Sequence, residues 1–236
     1  MTKTAIFIVV FAACSGGSGS GDNDFDIPTG DDTGDGSSTL RVDGSVTATE
    51  LFNSAVDPGD FSSTFVVRVT LDGEAEENAV VTVSSDAGSI DLEFTPGTSD
   101  FRGTQPGYYG SYRLDIDDGA DFVGGVVLEA PEVHTFVAPL EGARVSSEED
   151  LVVQWSRDGI ADETQIESRG TDLRSIDDSG TYTINASDLR QDPDGDEDER
   201  IRLYRSTQIA PVGAVAGSEF VIRLRNTVEL IVEPRQ

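Results

Sequence analysis

From Leu40 onward the apolar residues of this chain recur at every second position and almost nowhere with the helical period of 3.6. Phe65, Val67, Val69 and Leu71 alternate with Val66, Arg68 and Thr70, and Ile90, Leu92 and Phe94 alternate with Asp91 and Glu93. Tyr112, Leu114 and Ile116 keep the same rhythm, as do Leu151, Val153 and Trp155, then Tyr182 and Ile184, then Ile201 and Leu203. Two further runs, 220–224 and 228–232, complete the pattern. Turn formers separate the runs: Asp72-Gly73, Asp86-Ala87-Gly88, Pro106-Gly107, Asp118-Gly119, Asp158-Gly159 and Asp194-Gly195. Short strands buried on one face and joined in this way predict an all-β protein built as antiparallel β-sandwich. One helical turn is expected at Ser187–Gln191, with Ser187 as its cap.

The tempo changes between Ala130 and Pro139, where two prolines bracket a short segment and a fresh series of strands begins at Leu140. The expected organisation is one sandwich over 39–132 and a second, consecutive one over 133–236; a single larger sandwich is the alternative. The N-terminus reads differently. Ala5 to Ala13 is an unbroken apolar run behind Met1-Thr2-Lys3. It falls well short of the roughly 20 residues that span a bilayer, and its position fits a secretory signal over 1–13. Residues 14–38 are rich in Gly, Ser and Asp and hold too little apolar surface to offset ordering, so a disordered acidic tether is expected.

Composition narrows the chemistry. The chain carries 45 acidic and 16 basic residues, a formal net charge of −29, which repels nucleic acid and attracts cations. Loss of the signal would remove Lys3 and no acid, making the charge one unit more negative. Lys3 is the only lysine, His134 the only histidine and Cys14 the only cysteine. Nucleophilic triads need a histidine beside a positioned nucleophile, Schiff-base chemistry needs a lysine, and multi-histidine metal centres need more than one histidine. Only Asp/Glu chemistry survives that filter, and a glycosidase wants a larger cleft and aromatic platforms. No enzyme activity and no cofactor are expected.

Phe11-Ala12-Ala13-Cys14 resembles the lipobox of bacterial lipoproteins, with Phe11 where leucine is usual. The resemblance covers fourteen residues and implies cleavage before Cys14, lipid attachment at Cys14 through three acyl chains, and a membrane as partner. Ser15, in place of aspartate, implies the outer membrane of the cell envelope. In the body, Ala79–Val83 followed by Gly107–Leu114 resembles bacterial Ig-like or carboxypeptidase-regulatory-like modules. Asp178-Ser179-Gly180-Thr181-Tyr182 resembles the tyrosine corner of immunoglobulin-type sandwiches, although Ile184 stands where an antibody domain has cysteine. Together these resemblances imply two consecutive Ig-like sandwiches and no particular function.

Other candidates have modest expected roles. Asp192, Asp194, Asp196 and Asp198 alternate in the run 192–199 and could converge weakly on calcium, but the EF-hand pattern fails, with Leu203 where the bidentate Glu belongs. A solvated loop is the expected state. His134 reads as a boundary residue and Trp155 as core, Tyr108 and Tyr109 as packing residues, and Gly213–Gly217 as a turn without phosphate-loop context. The expected function is a lipid-anchored envelope lipoprotein acting as a non-catalytic binding or structural module with a protein or glycan partner. The alternative is a calcium-dependent adhesive or carbohydrate-binding surface protein.

Overall fold

The computed structural model describes residues 38–156, 158–159, 161–189 and 195–234. The signal, Cys14 and all of the tether except Ser38 lie outside the described residues, as do Asp192-Pro193-Asp194 of the acidic run. The chain is all-β. Its first half holds β1 (Leu40–Glu50), β2 (Phe61–Leu71), β3 (Glu74–Ala75), β4 (Val80–Ser85), β5 (Gly88–Asp91), β6 (Glu93–Thr95), β7 (Asp100–Pro106), β8 (Ser111–Asp117) and β9 (Phe122–Glu129). Its second half holds β10 (Phe136–Ala138), β11 (Arg144–Ser146), β12 (Leu151–Trp155), β13 (Glu163–Ser168), β14 (Thr171–Ile176) and β15 (Thr181–Ile184). Two long strands follow, β16 (Glu197–Ile209) and β17 (Glu219–Glu233).

Ten of these strands form one sheet, in the order β14-β13-β16-β17-β1-β2-β7-β6, with β3 added beside β2 and β11 beside β17. The sheet β5-β4-β8-β9 covers one end and the sheet β10-β12-β15 the other. Alternation along β17 explains how one strand serves both. Phe220, Ile222, Leu224, Asn226, Val228, Leu230 and Val232 share one face by the period of two. The first three are buried in a core with Phe65, Tyr112 and Leu114; the last three are buried in a second core with Val153, Trp155 and Ile201. Two ladders, β1 with β17 and β11 with β17, are parallel, and every other ladder between these strands is antiparallel.

Two local expectations change. Ile90–Phe94 reads as one strand but is two: the chain leaves the covering sheet after Asp91 and enters the long sheet at Glu93. Buried Leu92 makes the crossing, its N–H donating to the Val81 carbonyl at 2.8 Å. Gly103 leaves room for it, since a Cβ there would lie 2.7 Å from Leu92 Cδ2. The helical turn is a short 3₁₀ turn at Ala186–Asp188, and Asn185 precedes it as cap in place of Ser187. The Asp188 N–H closes that turn on the Asn185 carbonyl at 2.9 Å, while Arg190 and Gln191 lie outside the described residues.

The division at 132/133 remains a proposal about folding units, and β17 bears on it directly. A fragment of residues 38–132 lacks Phe220, Ile222 and Leu224 and would expose the inner faces of Val46 and Leu114. It is expected to show no cooperative thermal transition by circular dichroism, whereas 38–234 shows one. A cooperative melt of the short fragment would mean that the first core closes without β17.

Candidate functional site

The segment joining the sandwiches crosses the inner face of the long sheet, and four of its carbonyls accept hydrogen bonds from side chains. Side chains of the flanking strands meet them one after another. Thr207 Oγ1 donates to the Glu129 carbonyl at 2.7 Å, the Tyr108 hydroxyl to Pro131, Arg205 Nη1 to Glu132 at 3.2 Å, and Asn226 Nδ2 to His134 at 2.9 Å. Asn226 Nδ2 also donates to the Ala55 carbonyl at 2.8 Å. Arg205 and Asn226 occupy inward positions of β16 and β17 that alternation would assign to apolar residues, and this is the signal the sequence reading missed.

Arg205 is fully buried, and its guanidinium does more than hold the linker. Nη2 and Nε donate to Asp178 Oδ2 at 2.8 and 3.2 Å, and further N–H groups reach the Asp158 and Gly159 carbonyls at 3.2 and 3.4 Å. Asp178 Oδ1 accepts from the indole Nε1 of Trp155 at 3.2 Å. Trp155 is therefore core, as expected, and is also tied to the waist. His134 is fully buried beside it, 6.3 Å from the Phe136 ring. Burial, helped by the Arg205 guanidinium, pushes its pKa down to about 3. A neutral, enclosed imidazole has no route to exchange protons with a substrate.

The tyrosine-corner arrangement sits in the first sandwich, not at Tyr182. Buried Tyr112, near the start of β8, accepts from the Tyr109 backbone N–H at 3.1 Å and shares a 2.8 Å hydrogen bond with Ser63. Burial raises its pKa. Half-buried Tyr182 instead accepts from Arg174 Nη1 at 3.2 Å. Tyr108 is buried, and the Tyr109 hydroxyl closes on the Pro106 carbonyl at 2.8 Å, so both pack as expected. The Gly213–Gly217 turn braces the start of β1, Gly213 accepting from the Ser38 N–H and Val215 donating to the Leu40 carbonyl.

The acidic run has structural commitments in its described part. Asp196 pairs with Arg144 at 2.7 Å, and buried Glu199 accepts from the Arg169 and Arg200 backbone N–H groups at 2.7 and 2.8 Å. Among the described residues no three His, Cys, Asp or Glu side chains gather as a metal site requires. One open cleft of about 500 Å³ lies where β14 and β15, edge strands of different sheets, diverge. Ser175, Asp177, Ser179, Thr181 and Tyr182 line it. Ser175 donates to Glu163 at 2.7 Å and Ser179 to the Thr181 carbonyl at 2.9 Å.

The waist makes two measurable predictions. Arg205→Leu takes the guanidinium away from Asp178 and from three carbonyls and is expected to cost about 3–5 kcal/mol, read from urea midpoints. For His134 the unfolded ring takes a proton near pH 6.5 and the folded ring only near 3, so its contribution is fully present above 6.5 and is lost as pH falls toward 3. His134→Leu removes that linkage. The stability difference between parent and variant should therefore shift by up to about 1.4 kcal/mol per pH unit between pH 6.5 and 4.5. A difference independent of pH would show that the ring is accessible.

No protein-family model matches the chain, and no curated protein matches it. Among solved structures it is similar to a two-domain fibronectin type-III segment of chicken tenascin, with 11% identity over 80% of this chain and 97% of that one and a TM-score of 0.24. It is also similar to the D0-D1 domain of intimin, with 13% identity over 81% of this chain and 98% of that one and a TM-score of 0.27.

Proposed function

We propose that this chain is a bacterial envelope lipoprotein, anchored through lipid on Cys14 and carrying a non-catalytic, rigid binding or structural body. The sealed waist carries the non-catalytic part of this reading. The only imidazole of the chain is fully buried there and held neutral, and the buried Arg205 guanidinium and part-buried Asp178 carboxylate beside it are engaged with backbone, indole and each other. What the body presents to its surroundings is β-sheet surface, loops and charge. The same waist supports rigidity, because the segment joining the sandwiches is held by four side-chain donors and is not a free hinge. The anchor itself rests on the lipobox-like residues 11–14.

Cys14→Ala is expected to move the protein from the detergent-soluble membrane fraction to the aqueous fraction, with an unchanged thermal midpoint of the body. Parent and variant fractionating identically would overturn the anchoring.

A further inference from the structure

β1 and β17, the first and last strands among the described residues, are neighbours in the long sheet and run parallel, with Asp43–Thr49 in register with Glu219–Arg225. The chain enters β1 at Leu40 and leaves β17 at Glu233, at opposite ends of that pairing. Tension applied through the flanking chain therefore draws the two strands in opposite directions along their common axis. That is shear, in which the ladder bonds are loaded together; a pull across the strands opens them one after another. Neither strand lies at an edge there. β1 is also paired with β2 along all of Leu40–Glu50, and β17 with β16 from Phe220 to Val232.

Side-chain packing resists the same movement. Val42, Val46 and Ala48 of β1 are buried in the first core with Phe220, Ile222 and Leu224 of β17. A slip of one position would turn all the β1 side chains to the opposite face of the sheet. A slip of two keeps the faces but meets Phe220. Its ring fills the space beside Gly44, its register partner, so closely that a Cβ there would lie 3.0 Å from Cδ2. Val42 or Val46 carried to that position brings a branched side chain into space the ring occupies. The Gly44–Phe220 contact is thus a detent against sliding.

We infer that the body is a load-bearing element, in which the two sandwiches resist tension as one mechanical unit clamped by the β1–β17 ladder. Sandwiches joined only by a linker carry tension in series, and each opens by itself. Here the load passes from β1 to β17 inside one sheet, and the segment joining the sandwiches lies off that path. Release of β1 from β17 takes Phe220, Ile222 and Leu224 out of the first core, and drawing β17 out takes Val228, Leu230 and Val232 from the second. Such a role needs a fixed attachment on each side of the body, and Cys14 is the one proposed on the β1 side. The role rests on that anchoring but the mechanical property does not, so the fractionation of Cys14→Ala and the experiment below fail separately.

The test stretches single molecules of the full, unlipidated chain between Cys14, its only native thiol, and a second thiol from Gln236→Cys. One rupture is expected, releasing roughly 190 residues from β1 to β17, or about 600 Å at roughly 3.3–3.6 Å per residue less the folded length. Two ruptures of about 300 Å each would place the sandwiches in series and overturn the inference. A second geometry separates shear from stability alone. Handles on Cys14 and on Glu74→Cys, opposite Leu71, pull across the strands at the Leu40–Leu71 end of the β1–β2 ladder, so that β1 peels away pair by pair. Its first rupture is expected at a lower force than in the first geometry at the same loading rate, because forced unfolding follows the unfolding rate along the direction of pull. Equal forces in the two geometries would also overturn the inference.

Discussion

Backbone that crosses a buried sheet face must find hydrogen-bond donors there, and the architecture of this protein follows from how that demand is met. The linker between the sandwiches runs over β16 and β17, and four of its carbonyls are satisfied by Thr207, Tyr108, Arg205 and Asn226. An unmet carbonyl at such a site would cost on the order of 1–3 kcal/mol, so the polar residues at these inward positions are required by the crossing. They also divide one continuous sheet face into two hydrophobic cores. Without a crossing chain there would be no reason for Arg205 and Asn226 to interrupt rows of Ile, Leu, Val and Phe.

This arrangement also decides where polar chemistry can act. A buried guanidinium is tolerable only when its N–H groups are nearly all engaged, and Arg205 engages Asp178 and three carbonyls. The surface charges are arranged differently. Three of the strand pairs are Arg and Asp two positions apart on one strand face, Arg41 with Asp43, Asp100 with Arg102, and Arg113 with Asp115. The Arg102 hydrogen bond holds the Asp100 carboxyl below the usual carboxylate range, and Arg200 does the same for Glu229. Where both partners are exposed, as in Arg41 with Asp43, such a pair contributes little to stability. Their effect is to place positive charge at intervals across a surface whose net charge is strongly negative.

Much of this was legible in the chain. Strict alternation located β2, β8, β12 and both apolar stretches of β17, because each such strand is buried on one face only. The failures share a cause. Alternation detects apolar periodicity and is silent where a polar residue holds an inward position, so Asn226 divides β17 into two apparent strands and Arg205 ends the apparent run after Leu203. It is equally silent about which sheet a strand joins, so Ile90–Phe94 looks uniform although β5 and β6 lie in different sheets. The tyrosine corner was sought at the motif around Tyr182, yet Tyr112 meets the physical requirement, a buried hydroxyl within reach of backbone three residues upstream. A hydroxyl's burial and reach are properties of packing, and a five-residue motif does not encode them.

The shared strand has a consequence for how the two cores close. Gly44 in β1 lies so near Phe220 that a Cβ there would come within 3.0 Å of the ring, so β1 and β17 are fitted together closely although 176 positions separate Gly44 from Phe220 in sequence. Contacts of such separation carry a loop-closure cost that local hairpins avoid, and that cost grows only slowly with length. Once β17 is placed against β1, however, it presents Val228, Leu230 and Val232 to the second core with no further closure of that kind. The linker carbonyls then meet their donors only when both strands of the β16–β17 hairpin are in position. Closing either core thus lowers the cost of closing the other, which makes the waist a point of coupling between the sandwiches.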